Sequence, residues 1–193
     1  MKQKIFEFQE IIAQCRFLTS AGFDTTANTL AYLLYLLSKH YDVQENLRSE
    51  IDNEKNINFD TISQMPYLQC VVAETLRLFP HAAMLQSRRC MQDCLIGDYK
   101  FAKDLSIIFD TWSLHYDVDI WGDDANDRFG RNRTRNESLS WMPFGMGARQ
   151  CVGMRFALLE IKATVCYLLK RFYIRTTNCC NVSRIVFTVK CHF

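Results

Sequence analysis

No two of the nine cysteines in this chain stand as a CxxC pair, and their number is odd. Their spacings, taken with those of the histidines, fit no tetrahedral zinc site and suggest no disulfide framework. With no leader segment evident, they read as reduced thiols in a cytosol-facing protein. The Asn-x-Ser/Thr matches at Asn132, Asn136 and Asn181 are then chance. Charge imbalance is also lacking. The 23 basic and 21 acidic side chains leave a formal net charge of +2, which exerts no global pull on nucleic acid. Internal repeats and low-complexity tracts are absent. What is present is apolar bulk: 193 residues, 49% of them hydrophobic, enough for one domain with a sizeable core.

The most informative stretch is Phe144-Gly-Met-Gly-Ala-Arg-Gln-Cys-Val-Gly153. Pro143 and two glycines precede a cysteine, and a third glycine follows it. An apolar run from 154 to 172 then has the spacing and length of a helix. Cys151 therefore sits in a glycine-shaped loop at a helix N-terminus, with Arg149 two residues away. Both the helix end and the arginine favour a thiolate. Glycines there permit positive φ and let a flat, bulky group come close. A thiolate so presented suits a metal better than a disulfide.

Residues 8–39 read as one helix, free of proline, with Glu10 in its first turn and Lys39 at its end. Leu30 to Leu37 is apolar on nearly every face, so it should be buried. The stretch 17–37 has the length of a membrane span, but Asp24, Asn28 and the threonines within it argue for a core helix. Inside this helix lies Ala21-Gly-Phe-Asp-Thr-Thr26. Gly22 and the threonines are expected to loosen the local i→i−4 ladder. An acid beside an alcohol at such a turn, Asp24 and Thr25, has the makings of a proton relay.

Residues 41–55 carry Val43, Leu47 and Ile51 at four-residue steps, as an outer amphipathic helix would. Residues 66–79 form a further helix, stopped by Pro80. Glu74 and Arg77 share one face of it among apolar neighbours, so the pair should be partly buried and in need of further partners. Residues 95–109 read as short strands with a turn, and a helix should begin at Thr111. Val182–Val189 alternates weakly, as a strand does. The fold class expected is mainly α with small β-sheets (α+β).

The pattern Phe144, Gly147, Arg149, Cys151, Gly153 resembles the haem-binding loop of the cytochrome P-450 family. Its surroundings look most like the animal microsomal branch. The likeness covers about 8 to 172 and corresponds to the C-terminal half of a family member. The resemblance implies a haem-dependent monooxygenase (an oxidoreductase) that inserts one atom of O2 into an apolar organic substrate. The cofactor would be haem b, iron protoporphyrin IX, with Cys151 the metal-binding residue. Phe144 and Gly153 would line the cofactor, Ala21 and Gly22 would face it, and Arg88 and Arg149 would pair with its propionates. Asp24 and Thr25 would deliver protons. Glu74 and Arg77 would clasp a downstream arginine, Arg133, and so brace the loop. The strand after Pro80, residues 82–85, would pass over the haem and shape the substrate pocket. Partners implied are an NADPH-dependent reductase and, through an N-terminal anchor outside these residues, the cytosolic face of the endoplasmic reticulum membrane.

The chain departs from the family pattern in places. Ala102 and Asp104 stand where Pro and Gly are usual, which should loosen that turn, and Val118 replaces a proline. Around the third clasp residue the chain reads Phe129-Gly-Arg-Asn-Arg133, without the usual Pro and Glu. Arg128, Arg131, Arg133 and Arg135 form a basic stretch on which an acidic electron donor could dock. The missing family portions leave a second expectation: a non-catalytic remnant, or a fragment of a longer monooxygenase, that forms no complete haem pocket alone.

Overall fold

The computed structural model describes residues 6–81, 86–123, 139–179 and 182–189, with side chains as far as 176. Helix α1 spans Phe8–Lys39. It opens on a reciprocal cap in which Glu7 and Glu10 satisfy each other's backbone N–H groups, the Glu7 N–H meeting Glu10 Oε2 at 3.1 Å. Its burial is uneven. Thr26, Thr29, Leu33, Leu36 and Leu37 are buried, whereas Phe8, Phe17 and Phe23 in the first half are exposed. No helix among the described residues is long and apolar enough to cross a membrane.

Helix α2 (Tyr41–Asn53) follows at once. Val43, Leu47 and Ile51 are buried as their four-residue spacing requires, but Gln44 and Arg48 are buried with them. These two do a job that periodicity does not reveal. Helix C-termini leave carbonyls without intrahelical partners. Gln44 Nε2 donates to Leu37 O at the end of α1 and to Ile174 O, both at 2.9 Å, while its Oε1 accepts from the Ile174 N–H at 3.0 Å. Arg48 donates to Leu169 O and Phe172 O at 2.7 and 2.8 Å, and its guanidinium lies 3.8 Å over the Tyr173 ring. Thus α2 is not simply a solvated outer helix. It staples the ends of two others.

Helix α3 (Phe59–Gln64) is capped by Asn58, which accepts from the Thr61 N–H at 3.0 Å. Helix α4 (Pro66–Leu78) begins on a proline, where the missing N–H costs nothing. Its first free N–H groups, of Tyr67 and Leu68, are both taken by the Glu50 carboxylate at 2.8 Å. Strands β1 (Ser87–Arg89), β2 (Cys94–Ile96), β3 (Tyr99–Phe101) and β4 (Ser106–Ile108) form two small antiparallel ladders, β1 with β4 and β2 with β3. The turn before β4 closes in spite of its departures. Asp104 takes a φ of 69°, the conformation a glycine would adopt, and Arg89 holds its carboxylate at 2.7 and 3.0 Å.

Short helices α5 (Thr111–Tyr116) and α6 (Val118–Trp121) follow, capped by Asp110 and Asp117. Helix α7 (Met154–Arg171) runs into an antiparallel ribbon, β5 (Phe172–Cys179) with β6 (Val182–Val189). The core gathers the second half of α1, the inner faces of α2 and α4, and the buried side of α7. The result is a mainly helical α+β fold.

Replacing Arg48 with methionine keeps volume but strands two buried carbonyls. Chemical denaturation should register a loss of about 3 kcal/mol. Ser49→Ala, on the exposed side of the same helix, should stay within about 0.5 kcal/mol.

Candidate functional site

Backbone hydrogen bonds close the turns of the loop from 142 to 153. Gly145 N–H donates to Met142 O at 3.1 Å, and the Cys151 N–H returns to Phe144 O at 2.9 Å. A single 3₁₀ turn, Gly147–Arg149, lies between them. Gly145 and Gly147 have φ of 71° and 74°, which side-chain-bearing residues rarely adopt. Gly153 has an ordinary φ of −86° and forms the cap of α7. An added Cβ at Gly147 or Gly153 would meet nothing within 4 Å, so both open onto free space.

Cys151 is an exposed, free thiol. Cys15, Cys70, Cys90, Cys94 and Cys166 are likewise in no disulfide, but they differ in setting. Burial among apolar side chains pushes the Cys166 thiol up to about 11, an inert core cysteine. Among the described residues no three His, Cys, Asp or Glu side chains gather as a metal cage. Phe144 is half-buried against the core and meets the Trp141 ring edge-on at 6.3 Å. Arg149 is exposed in the 3₁₀ turn.

Behind the loop lies the ion pair of α4. Arg77 donates through Nε and Nη2 to the two oxygens of Glu74 at 2.9 and 2.6 Å. The arginine is 0% and the glutamate 5% exposed. The expected partial burial is therefore complete. Arg77 Nη1 also donates to the His115 carbonyl at 2.6 Å, and the guanidinium lies 5.0 Å from the Trp121 ring. Arg133 lies outside the described residues, as do 82–85 and the basic stretch from Arg128 to Arg135.

His115 is the residue that sequence reasoning missed. It is fully buried on α5. Its Nε2 accepts the Met142 N–H at 3.1 Å, and its Nδ1 lies 3.1 Å from Arg77 O. An amide N–H can only donate, so Nε2 carries no proton and Nδ1 must be the donor. Burial, with a smaller contribution from the Arg77 charge, lowers its pKa from 6.5 to about 4, partly opposed by the bond to Arg77 O. The ring is neutral at physiological pH. The only signal in the sequence was one of few histidines, set between Trp112 and Tyr116 in the last turn of a short helix.

On α1 the expected loosening does not occur. The helix runs unbroken through Gly22. Thr25 Oγ1 donates to Ala21 O at 2.7 Å, and Thr29 repeats the pattern at 2.8 Å. Such back-bonding is compatible with a regular helix, and one glycine costs only about 1 kcal/mol. Ala21, Gly22 and Asp24 are exposed and Thr25 half-buried. Among the described residues no hydrogen bond joins Asp24 to Thr25, since neighbouring helical side chains diverge. Arg88 on β1 is half-buried and donates to Ser87 O at 2.8 Å. Two residues earlier, Gln86 Nε2 donates to Met142 O at 2.7 Å, which ties the strand bearing Arg88 to the cysteine loop.

Fold and site together define a mainly helical protein that presents one thiol on a glycine-turned loop, backed by a buried Glu–Arg pair. The family model described as cytochrome P-450 matches residues 1–184. The protein named as cytochrome P-450 CYP13A6 of Caenorhabditis elegans is 42% identical over 185 residues, covering 91% of this chain and 36% of that protein. CYP13A5 and CYP13A1 of the same organism are 38% and 41% identical, covering 91% and 87% of this chain and 35% and 34% of their own lengths. The chain thus spans about a third of the length of these curated relatives. It belongs to the cytochrome P-450 family.

The His115 ring gives a signed pH prediction. The charged groups facing it are Arg77 and, beyond that, Glu74. As pH falls from 6.5 toward 4, the unfolded chain takes up a proton that the folded chain refuses. Folding stability should be full above that window and decline through it by up to roughly 3 kcal/mol. Urea titrations between pH 4 and 7 should show that decline, and His115→Gln should flatten it.

Proposed function

We propose that Cys151 binds the iron of haem b, and that the protein serves as a monooxygenase inserting one atom of O2 into an apolar organic substrate. One observation carries the reading. A free, exposed thiol sits at the start of α7 in a loop whose positive-φ glycines leave room beside it. The residues fit a flat metal macrocycle better than a bare ion, since one thiol outside any group of three ligating side chains among the described residues suits an iron already held by a porphyrin. When bound, thiolate-ligated haem supplies the oxidising chemistry, with electrons from an NADPH-dependent reductase.

The chain's own residues would then take these roles. Phe144 would line the cofactor, and its carbonyl holds the Cys151 N–H. Gly153 lets the cofactor approach the helix start. Arg88 and Arg149 hold the propionates through planar donors. Ala21 and Gly22 offer a low surface, the added Cβ at Gly22 meeting nothing within 4 Å. Thr25 Oγ1 donates to Ala21 O and keeps lone pairs with which to orient a water. Asp24, open to solvent, takes up protons at its carboxylate for delivery along that water. Glu74 and Arg77, with Arg133 as a third member, brace the loop. The partners proposed are a reductase and the cytosolic face of the endoplasmic reticulum membrane, reached through an N-terminal anchor.

A second reading is favoured by a separate observation. Phe17 and Phe23 on α1 and Val152 and Phe156 beside the cysteine are 63%, 72%, 87% and 72% exposed. Surfaces of that kind call for a cover. On this reading the 193 residues alone form no complete haem pocket.

Addition of haemin, reduction and exposure to carbon monoxide should produce the strongly red-shifted thiolate band. Cys151→Ser should abolish it. If the serine variant keeps the band, Cys151 is not the ligand. If the unaltered chain never develops it, the second reading stands. In an active preparation, Asp24→Asn should slow product formation about a hundredfold and leave the carbonyl band in place.

A further inference from the structure

We propose that His115 is a positioning residue: its imidazole carries the placement of the Glu74–Arg77 pair to the Cys151 loop by holding the Met142 N–H. This deepens the haem-thiolate reading and rests on it.

The path is continuous. The Glu74 carboxylate fixes the Arg77 guanidinium through two bonds. Arg77 fixes the backbone of His115 through Nη1, and its own carbonyl fixes the ring through Nδ1. The Trp121 ring stands edge-on to the imidazole at 6.4 Å, and Trp121 Nε1 is itself anchored on Leu114 O at 2.9 Å. A ring held in this way can stand only where Nε2 meets Met142. The main chain of Met142 is then held at both ends of the residue, since its carbonyl accepts from Gln86 and from the Gly145 N–H. Next to it, Trp141 Nε1 is anchored on Ala73 O of α4 at 3.0 Å. Two residues on, Phe144 O receives the Cys151 N–H. The placement of the sulfur is thus set through one residue, and that residue's N–H is read by a side chain.

Imidazole suits this task because it holds a donor and an acceptor on opposite sides of one rigid ring. The two halves of the function can be separated. In H115Q the amide oxygen can reach toward the Nε2 position and accept from Met142, while the donor to Arg77 O is lost. In H115N the amide N–H can donate to Arg77 O but cannot reach Met142.

The test uses the full chain loaded with haem. Hydrogen exchange at the Met142 amide and the thiolate share of the ferrous–carbonyl spectrum are read beside urea stability. The expected result is that H115N exchanges Met142 at least tenfold faster than H115Q and keeps less than half of its thiolate share. Their stabilities should be lowered by similar factors. Equal losses in both variants, or none in either, would overturn the proposal, because a purely structural core histidine predicts no such split. Should both variants fail to fold, nitrogen NMR of the unaltered protein decides: a proton on Nδ1 supports the tether, and one on Nε2 overturns it. A wild-type chain without any thiolate band would sink the haem reading alone, and the Met142 amide would still judge this one.

Discussion

A guanidinium with no exposure to water is the constraint around which this structure is arranged. An unpaired charge in such a place would cost several kcal/mol, so the surroundings of Arg77 must supply compensation. They do so in three forms. Glu74 gives an opposite charge with two-point geometry, His115 gives a carbonyl, and Trp121 gives the face of an aromatic ring. Each comes from a segment that must be folded before the charge can be buried. The pair therefore makes burial of α4 conditional on docking of α5 and α6. The cysteine loop follows, since Met142 and Trp141 bind to groups that this docking has fixed.

The elements of the fold were largely legible because local rules agree with one another. A proline-free stretch with acid at its start and lysine at its end is α1, and prolines bracket α4 where φ and the missing N–H demand it. The loop around Cys151 was legible because positive-φ glycines leave a fixed spacing in the sequence. Long-range polar bonds leave no such trace. Gln44 and Arg48 look like surface residues of an amphipathic helix until the ends of α1 and α7 come within reach. His115 has no periodicity to betray it, because its partners lie 38 residues before and 27 after it. The expected softening at Gly22 was misread for a related reason. Thr25 can reach the Ala21 carbonyl without displacing its N–H partner, so the same residues that could disturb a helix ornament it instead.

One turn of the chain is held left-handed without a glycine. At a position where the family pattern has glycine, this protein places Asp104 in a left-handed conformation and secures it with Arg89. An aspartate tolerates that conformation better than most residues, and its carboxylate offers a contact that glycine lacks. The turn is held by an ion pair on an exposed edge, where screening keeps it weak.

The Trp141 bond to α4 bears on how this sequence can drift. An indole N–H reaching a backbone carbonyl is indifferent to which side chain occupies position 73. The far end of the long connection between α6 and the cysteine loop is therefore moored to the main chain of α4. Substitutions along that connection, such as the departures at Arg131 and Asn132, leave the indole's acceptor in place. Evolution can rewrite such a tether's length and charge while the mooring stays where it is.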